Sequence, residues 1–148
     1  SPDDAWLALR GLRTLPVRYA EQARSAFKVA EWLSARPDVA RVFHPALPGD
    51  PGHPIWFRDY TGGASILGVV LTGGDARAAE AFLEALTLFG LGYSWGGFES
   101  LATPETPQLA FRNAAPHLEG PLLRLHIGLE DPAELIADLE QAFAALRA

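Results

Sequence analysis

The sequence predicts one α/β (α+β) domain, in which helices cover a single mixed sheet in two layers. Segments with apolar residues at helical spacing alternate with short apolar, β-branched segments. The chain has 148 residues, the size of one ordinary domain with a real core. Apolar residues make up 49% and charged residues 20% of the chain, which is typical of a globular domain and not of a disordered segment.

The first predicted element is a long helix over about residues 2–35. Ser1 and Pro2, followed by two acidic residues, form a helix-start pattern. Pro16 interrupts the apolar pattern, because proline removes one backbone donor and crowds the preceding turn. We therefore expect either a kinked helix or two helices in series, followed by a sheet-plus-helix core over about 39–148.

Four strands and two further helices are predicted in that core. The predicted strands are Val39–Phe43, Ala64–Leu71, Gly90–Trp95 and Pro121–Ile127, and the predicted helices are Ala76–Leu88 and the segment after Asp131. The first strand is expected at an edge of the sheet, and the second, which is apolar on both faces, at its centre. Prolines predict no regular structure from the first strand to Pro54, and loops over Thr103–Gly120.

Charge and composition exclude several classes of protein. The net charge of −6 argues against a nucleic-acid binder and against a protein that binds anionic membranes. The absence of cysteine excludes disulfides, thiolate metal sites and a thiol nucleophile, and it fits a cytoplasmic protein. No two histidines have metal-ligand spacing on one element, so no metal site is expected.

Ser94 lies in a G-x-S-x-G pattern, which is typical of the nucleophile elbow of serine hydrolases. That mechanism requires a helix directly after the serine, whereas Gly96 and Gly97 are a poor helix start. The chain is also short for a hydrolase core. We therefore expect a turn in which the glycines allow the backbone to approach another group closely, and not a catalytic serine.

Lys28 is the only lysine, which raises the question of a Schiff-base role. It lies between Arg24 and Glu31 on the long amphipathic helix. An ion pair with Glu31, three residues further on, is sufficient to account for a lysine at this position. The pattern therefore favours a solvated surface lysine.

Arg124 is the most informative single residue. Strand alternation places it with His126 on one face, opposite three aliphatic residues. A guanidinium in the middle of an apolar strand needs an anionic partner, and its planar fork suits a carboxylate. The pattern leaves two alternatives open: a salt bridge to Glu99 or Glu130, or a clamp for the carboxylate of a ligand.

Four segments together resemble the C-terminal part of the Cys/Met-metabolism enzymes that use pyridoxal phosphate. They are Leu9–Leu15, Ala30–Leu33, Phe89–Leu101 and Leu123–Pro132. The resemblance implies the C-terminal small domain of the aspartate-aminotransferase type of fold (fold type I). It also implies that the large domain, which binds the cofactor and carries the Schiff-base lysine, is absent from this chain. Since the chain does not begin with Met, we expect a piece of a larger protein that is inactive alone.

The same resemblance implies roles for individual residues. Arg124 would bind the α-carboxylate of the substrate, which favours the clamp over the salt bridge. Ser94 would lie beside the cofactor lysine and the substrate, and Trp95 would line the substrate pocket. The supporting residues that the resemblance implies are Tyr93, Gly96, Gly97 and Glu99.

Trp95 also indicates a branch of the family. The segment Tyr93–Gly97 is similar to the bacterial cystathionine β-lyase branch, since the γ-lyases and γ-synthases usually carry leucine at this position. The resemblance then implies a cytoplasmic, homotetrameric carbon–sulfur lyase of trans-sulfuration and methionine biosynthesis, with a small amino-acid substrate. The alternatives are a cystathionine γ-lyase, a γ-synthase, a cysteine desulfhydrase, or a folded module without catalytic function.

Overall fold

The computed structural model of the chain describes residues 1–114 and 116–146. The helices are α1 (Pro2–Ser34), α2 (His53–Asp59), α3 (Ala76–Ala85) and α4 (Pro132–Ala145), with a 3-10 helix at Thr106–Phe111. The strands are β1 (Val39–Phe43), β2 (Ile66–Leu71), β3 (Gly90–Leu91), β4 (Leu101–Pro104) and β5 (Leu122–His126). The predicted α/β class with one mixed sheet is confirmed, and the predicted bound at residue 148 lies outside the described residues.

The five strands form one sheet in the order β1-β2-β5-β4-β3. The β4–β3 pair is parallel, and the other three pairs are antiparallel. The first strand lies at an edge, as predicted, and β5 lies at the centre. In this register Arg124 of β5 lies opposite Gly68 of β2 on one side and Thr103 of β4 on the other.

One face of the sheet forms the core. Leu123, Leu125 and Ile127 are fully buried, as strand alternation predicts. They belong to a cluster that also contains buried residues of α1, α3 and α4, among them Leu33 and Phe143. The central strand is therefore fixed by aliphatic burial on one face, which leaves its other face to carry polar groups.

The first helix is one continuous element, so two helices in series is the wrong alternative. Near Pro16, the Gly11 carbonyl accepts hydrogen bonds from Thr14 Oγ1 at 3.2 Å and Arg18 Nη2 at 2.9 Å. The carbonyl that loses its backbone donor at Pro16 is that of Leu12, so these side-chain bonds are made to the carbonyl one residue before it. Only the half of α1 after the proline has buried residues, and the apolar side chains before it are exposed. A kink at Pro16 stays a prediction.

Three elements form where the sequence predicts none: α2, β4 and the 3-10 helix. The helix α2 begins at His53 because Pro54 occupies its first turn, where a backbone N–H is not required. The strand β4 forms at the beginning of the predicted loop because it pairs with β5 on one side and β3 on the other. These pairings are contacts between segments that are distant in sequence. A pattern within four residues does not predict them.

Two predicted elements are shorter than expected. The third helix ends at Ala85 because the backbone N–H groups of Thr87, Leu88 and Phe89 donate to the Asp138 carboxylate instead of continuing a helix. The strand β3 has only two residues, since the chain leaves the sheet after Leu91. Among the described helices, none combines the length and apolarity needed to span a membrane.

Candidate functional site

The predicted site residues lie on two neighbouring elements of the fold. Arg124 lies in the middle of β5, and all the others lie on residues 92–100, which we call the site loop. The loop leaves the sheet after β3 and returns to it at β4. The Gly90 N–H donates to the Ser100 carbonyl at 3.0 Å, so the two ends of the loop are held together.

Arg124 contacts Tyr93 and Glu105. Its Nη2 donates to the Tyr93 carbonyl at 2.9 Å, and its guanidinium lies 5.7 Å from the centroid of the Tyr93 ring. Its Nε lies 3.6 Å from Glu105 Oε1, and the same carboxylate oxygen accepts from Thr103 Oγ1 at 2.8 Å. The salt-bridge alternative named Glu99 or Glu130 as the partner of Arg124, and both are the wrong residues. The acidic neighbour follows β4, which the sequence did not reveal.

Glu130 anchors the end of the site loop instead. Its carboxylate accepts from the Ser100 N–H at 2.7 Å and from Ser100 Oγ at 2.8 Å. That hydroxyl oxygen in turn accepts from the Gly128 N–H at 2.8 Å. A Cβ at Gly128 would lie 2.2 Å from the Phe98 carbonyl oxygen, so only glycine fits there. Glu99 is exposed on the loop itself.

Arg124 keeps hydrogen-bonding capacity for a ligand. Its distance to Glu105 exceeds that of a hydrogen bond. Among residues 1–114 and 116–146, no hydrogen-bond partner is found for its Nη1 atom. The side chain is 23% exposed and lines a cleft of about 290 Å³ between β2, β5 and the 3-10 helix. The geometry thus allows a carboxylate to bind along one edge of the guanidinium.

The middle of the site loop is exposed. Trp95 is 64% exposed, and Tyr93, Ser94 and Phe98 are exposed as well. In the part of the chain that the structure describes, the side chains of Ser94 and Trp95 make no hydrogen bond. The structure therefore brings Tyr93 together with Arg124, whereas within the described residues neither Ser94 nor Trp95 is hydrogen-bonded to Arg124.

Gly96 and Gly97 are held by two buried side chains. Gly96 has φ +81°, a conformation that favours glycine, and its N–H donates to His126 Nε2 at 3.2 Å. The Gly97 carbonyl accepts from Gln22 Nε2 of α1 at 2.7 Å. Burial lowers the pKa of His126, which favours the neutral imidazole, and in the tautomer with its proton on Nδ1 the Nε2 atom accepts from the Gly96 N–H. Sequence reasoning missed Gln22, and alternation placed His126 beside Arg124 without revealing its partner.

Ser94 is expected to stay unlabelled by fluorophosphonate probes. No helix follows it, and the nearby His126 cannot serve as its base because Nε2 is bonded to Gly96 and Nδ1 is buried. The measurement is mass spectrometry of the probe-treated protein, with a known serine hydrolase as positive control. Labelling that disappears in Ser94→Ala would contradict the prediction.

The sequence contains one lysine, Lys28, which is the single candidate for a Schiff base with pyridoxal phosphate. Lys28 is exposed on α1 and belongs neither to the site loop nor to β5. Its exposure agrees with a surface lysine, although no salt bridge to Glu31 is found in the described ranges. Among those same residues, no group of three or more histidine and carboxylate side chains is arranged to hold a metal ion.

Comparison with known proteins identifies the family. Residues 1–144 match the model of the Cys/Met metabolism PLP-dependent enzymes, and the chain belongs to this family. It is 57% identical to cystathionine β-lyase of Bordetella avium over 96% of its length, and 46% identical to cystathionine β-lyase MetC of Escherichia coli over 97%. It is 38% identical to cystathionine γ-lyase of Sus scrofa over 98%.

The chain is much shorter than these relatives. It spans 36% of the Bordetella protein, 38% of the Escherichia coli protein and 37% of the pig protein. The resemblance recognised in the four segments is confirmed, and it extends over nearly the whole chain.

Proposed function

We propose that this chain is the C-terminal, carboxylate-binding domain of a pyridoxal-phosphate-dependent carbon–sulfur lyase. The most specific form of the proposal is cystathionine β-lyase, which converts L-cystathionine to homocysteine, pyruvate and ammonia. The observation that carries it is Arg124, a partly exposed guanidinium in the middle of a buried strand with an open edge. The higher identity to the β-lyases than to the γ-lyase supports the specific form.

Arg124 orients the substrate in this proposal. Its fork binds the two oxygens of the α-carboxylate, which fixes both the position and the direction of the amino acid. The hydrogen bond to the Tyr93 carbonyl restricts the rotamers of the long side chain before the ligand arrives. Glu105, at 3.6 Å, lies on the side of Nε and leaves the Nη1 edge open.

The site loop forms one wall of the substrate pocket. Trp95 and Ser94 face solvent in this chain and would contact the substrate, while the backbone around Gly96 and Gly97 fixes their place. Tyr93 and Glu99 support the same wall. The lysine and the phosphate-binding groups that pyridoxal phosphate requires are proposed to lie in the rest of a longer, cytoplasmic and homotetrameric protein.

The full-length protein should release homocysteine and pyruvate from L-cystathionine. Cysteine with 2-oxobutyrate would instead identify a γ-lyase, and efficient cleavage of cysteine alone a desulfhydrase. This 148-residue chain with added pyridoxal phosphate is the matched control. We expect it to show no turnover and no phosphopyridoxyl group on Lys28 after borohydride reduction. No reaction of the full-length protein with any of these amino acids would favour a folded module without catalytic function.

Trp95→Leu in the full-length protein is expected to change substrate preference more than stability. Its ring is mostly exposed, so its loss removes little packing from this domain. A pocket contact of this kind changes discrimination between competing substrates by about 10- to 200-fold. The measurement is the ratio of kcat/KM for cystathionine to that for cysteine, with Phe57→Leu on α2, also highly exposed, as control. An unchanged ratio in Trp95→Leu would remove the argument for a β-lyase from this residue.

A further inference from the structure

Ser94 and Trp95 are not held by hydrogen bonds of their side chains in the described residues. Both side chains are exposed. The next two residues, Gly96 and Gly97, have no side chain with which to pack. The backbone on both sides of Trp95 can therefore fix its place: Arg124 holds the Tyr93 carbonyl before it, and the peptide groups of the two glycines follow it.

Two side chains from distant parts of the chain act on those peptide groups. Gln22, on α1, donates to the Gly97 carbonyl at 2.7 Å across 75 positions of sequence. His126, on β5, accepts from the Gly96 N–H at 3.2 Å, and its Nε2 lies 3.4 Å from the same Gly97 carbonyl oxygen. The loop is thus held from the helix on one side and from the sheet on the other.

Both side chains are polar although they lie at buried positions, where apolar side chains are more common. Gln22 is 4% exposed and His126 is 1% exposed. A buried amide or imidazole lowers stability unless it is hydrogen-bonded. The Nδ1 atom of His126 is buried with no hydrogen-bond partner within the described residues. The His126 ring therefore makes a hydrogen bond to Gly96 through Nε2, while its Nδ1 atom makes none within the described residues.

The same strand carries both the carboxylate clamp and one of these anchors. Arg124 and His126 are two residues apart on β5, and Arg124 also holds the Tyr93 carbonyl. Arg124 and one anchor of the site loop, His126, are therefore both fixed to the central strand of the sheet. A displacement of the Gly96–Gly97 peptide would move Trp95 relative to Arg124 without moving Arg124 itself.

We propose that Gln22 and His126 are positioning residues, which hold the Gly96–Gly97 peptide from two sides and so set the distance between Trp95 and the Arg124 clamp. Through that distance they control which thioether amino acids fit the site. The claim about substrate preference rests on the proposed function. The claim that the two residues position Trp95 is independent of it.

Fluorine NMR of the full-length protein labelled with 5-fluorotryptophan tests the structural part. Gln22→Met keeps the volume of the side chain and removes the donor, and we expect it to shift and narrow the Trp95 resonance, assigned with Trp95→Phe. Trp32, which packs against Phe143, should be unchanged. Gln141→Met is the matched control, because Gln141 also donates to a backbone carbonyl, that of Ala85, away from the site loop.

His126 gives a second, independent variant. His126→Leu should move the Trp95 resonance in the same direction, and His126→Gln, which retains an acceptor, should restore part of the original signal. In kinetics, Gln22→Met should change the cystathionine-to-cysteine preference by about tenfold, since small displacements near a reacting group have effects of this order or larger. The change should largely disappear when Trp95 is already leucine.

A Trp95 resonance that stays at its original position in both Gln22→Met and His126→Leu would overturn the proposal. Equal changes at Trp32 and Trp95 in Gln22→Met would overturn it too, because they would show a general loss of structure. If the unmodified protein does not cleave cystathionine but the Trp95 resonance responds as described, the proposed function fails and the positioning role stands.

Discussion

Arg124→Ala in the full-length protein is expected to lower kcat/KM by roughly a hundred- to several-thousand-fold. The variant would leave the α-carboxylate of the substrate desolvated without its bidentate partner, a loss of about 3 to 5 kcal/mol. Arg124→Lys should recover only part of the loss, because an ammonium group cannot make two parallel hydrogen bonds. The measurement is kcat/KM for cystathionine together with the melting temperature of each variant, and Arg77→Ala on α3 is the control.

The competing explanation for Arg124 is the internal pair with Glu105. That explanation predicts that Arg124→Ala and Glu105→Gln lose similar stability, and that Arg124→Ala keeps a nearly normal KM. The two side chains lie 3.6 Å apart, within ion-pair range, and are only 23% and 19% exposed, so stability and kinetics have to be measured on the same variants. A destabilised but kinetically normal Arg124→Ala protein would show that the arginine is structural.

Asp138→Ala is expected to lower the free energy of unfolding of this chain by about 3 to 5 kcal/mol. Its buried carboxylate accepts from Thr87 Oγ1 at 2.7 Å and from the N–H groups of Thr87, Leu88 and Phe89 at 2.9, 2.9 and 3.2 Å. Removing it leaves these donors without their acceptor. Urea unfolding measures the change, with Asp75→Ala as control, since loss of that helix cap costs about 1 kcal/mol.

The effect of Asp138 should depend on pH. Burial raises the pKa of its carboxyl, but the hydrogen bonds from Thr87, Leu88 and Phe89 lower it by more, so the folded-state pKa lies below the unfolded one. Its contribution to stability is then complete above the unfolded pKa of about 3.9 and is lost as the pH falls through the folded pKa. A difference between Asp138→Ala and the unmodified chain that does not shrink in acid would contradict this.

Sequence reasoning succeeded where the pattern is local. The alternation of Leu123, Arg124 and Leu125 predicted both the buried face of β5 and the residue that lies in the cleft, and Asp75 predicted the start of α3. The predictions rest on spacings of two to four residues, which strands and helices translate directly into faces and caps.

Sequence reasoning failed where a contact depends on register between distant segments. Glu105 approaches Arg124 only because β4 pairs with β5, and Gln22 reaches Gly97 only because α1 packs beside the site loop. The spacing of residues within a single segment does not predict either of these two contacts. The same limit explains why the salt-bridge alternative for Arg124 named Glu99 and Glu130 instead of Glu105.

The site loop is attached to the domain through its backbone, its ends and the Tyr93 ring, while the side chains of Ser94 and Trp95 make no hydrogen bond within the described residues. Glu130, Ser100 and Gly128 fasten its end, and Gly128 admits no other residue. Positions 94 and 95 are consequently free to vary without disturbing the folding of the domain. A library that randomises these two positions and leaves the anchors intact should contain mostly folded members with altered substrate choice. The same separation would let one scaffold give rise to enzymes that act on different sulfur amino acids.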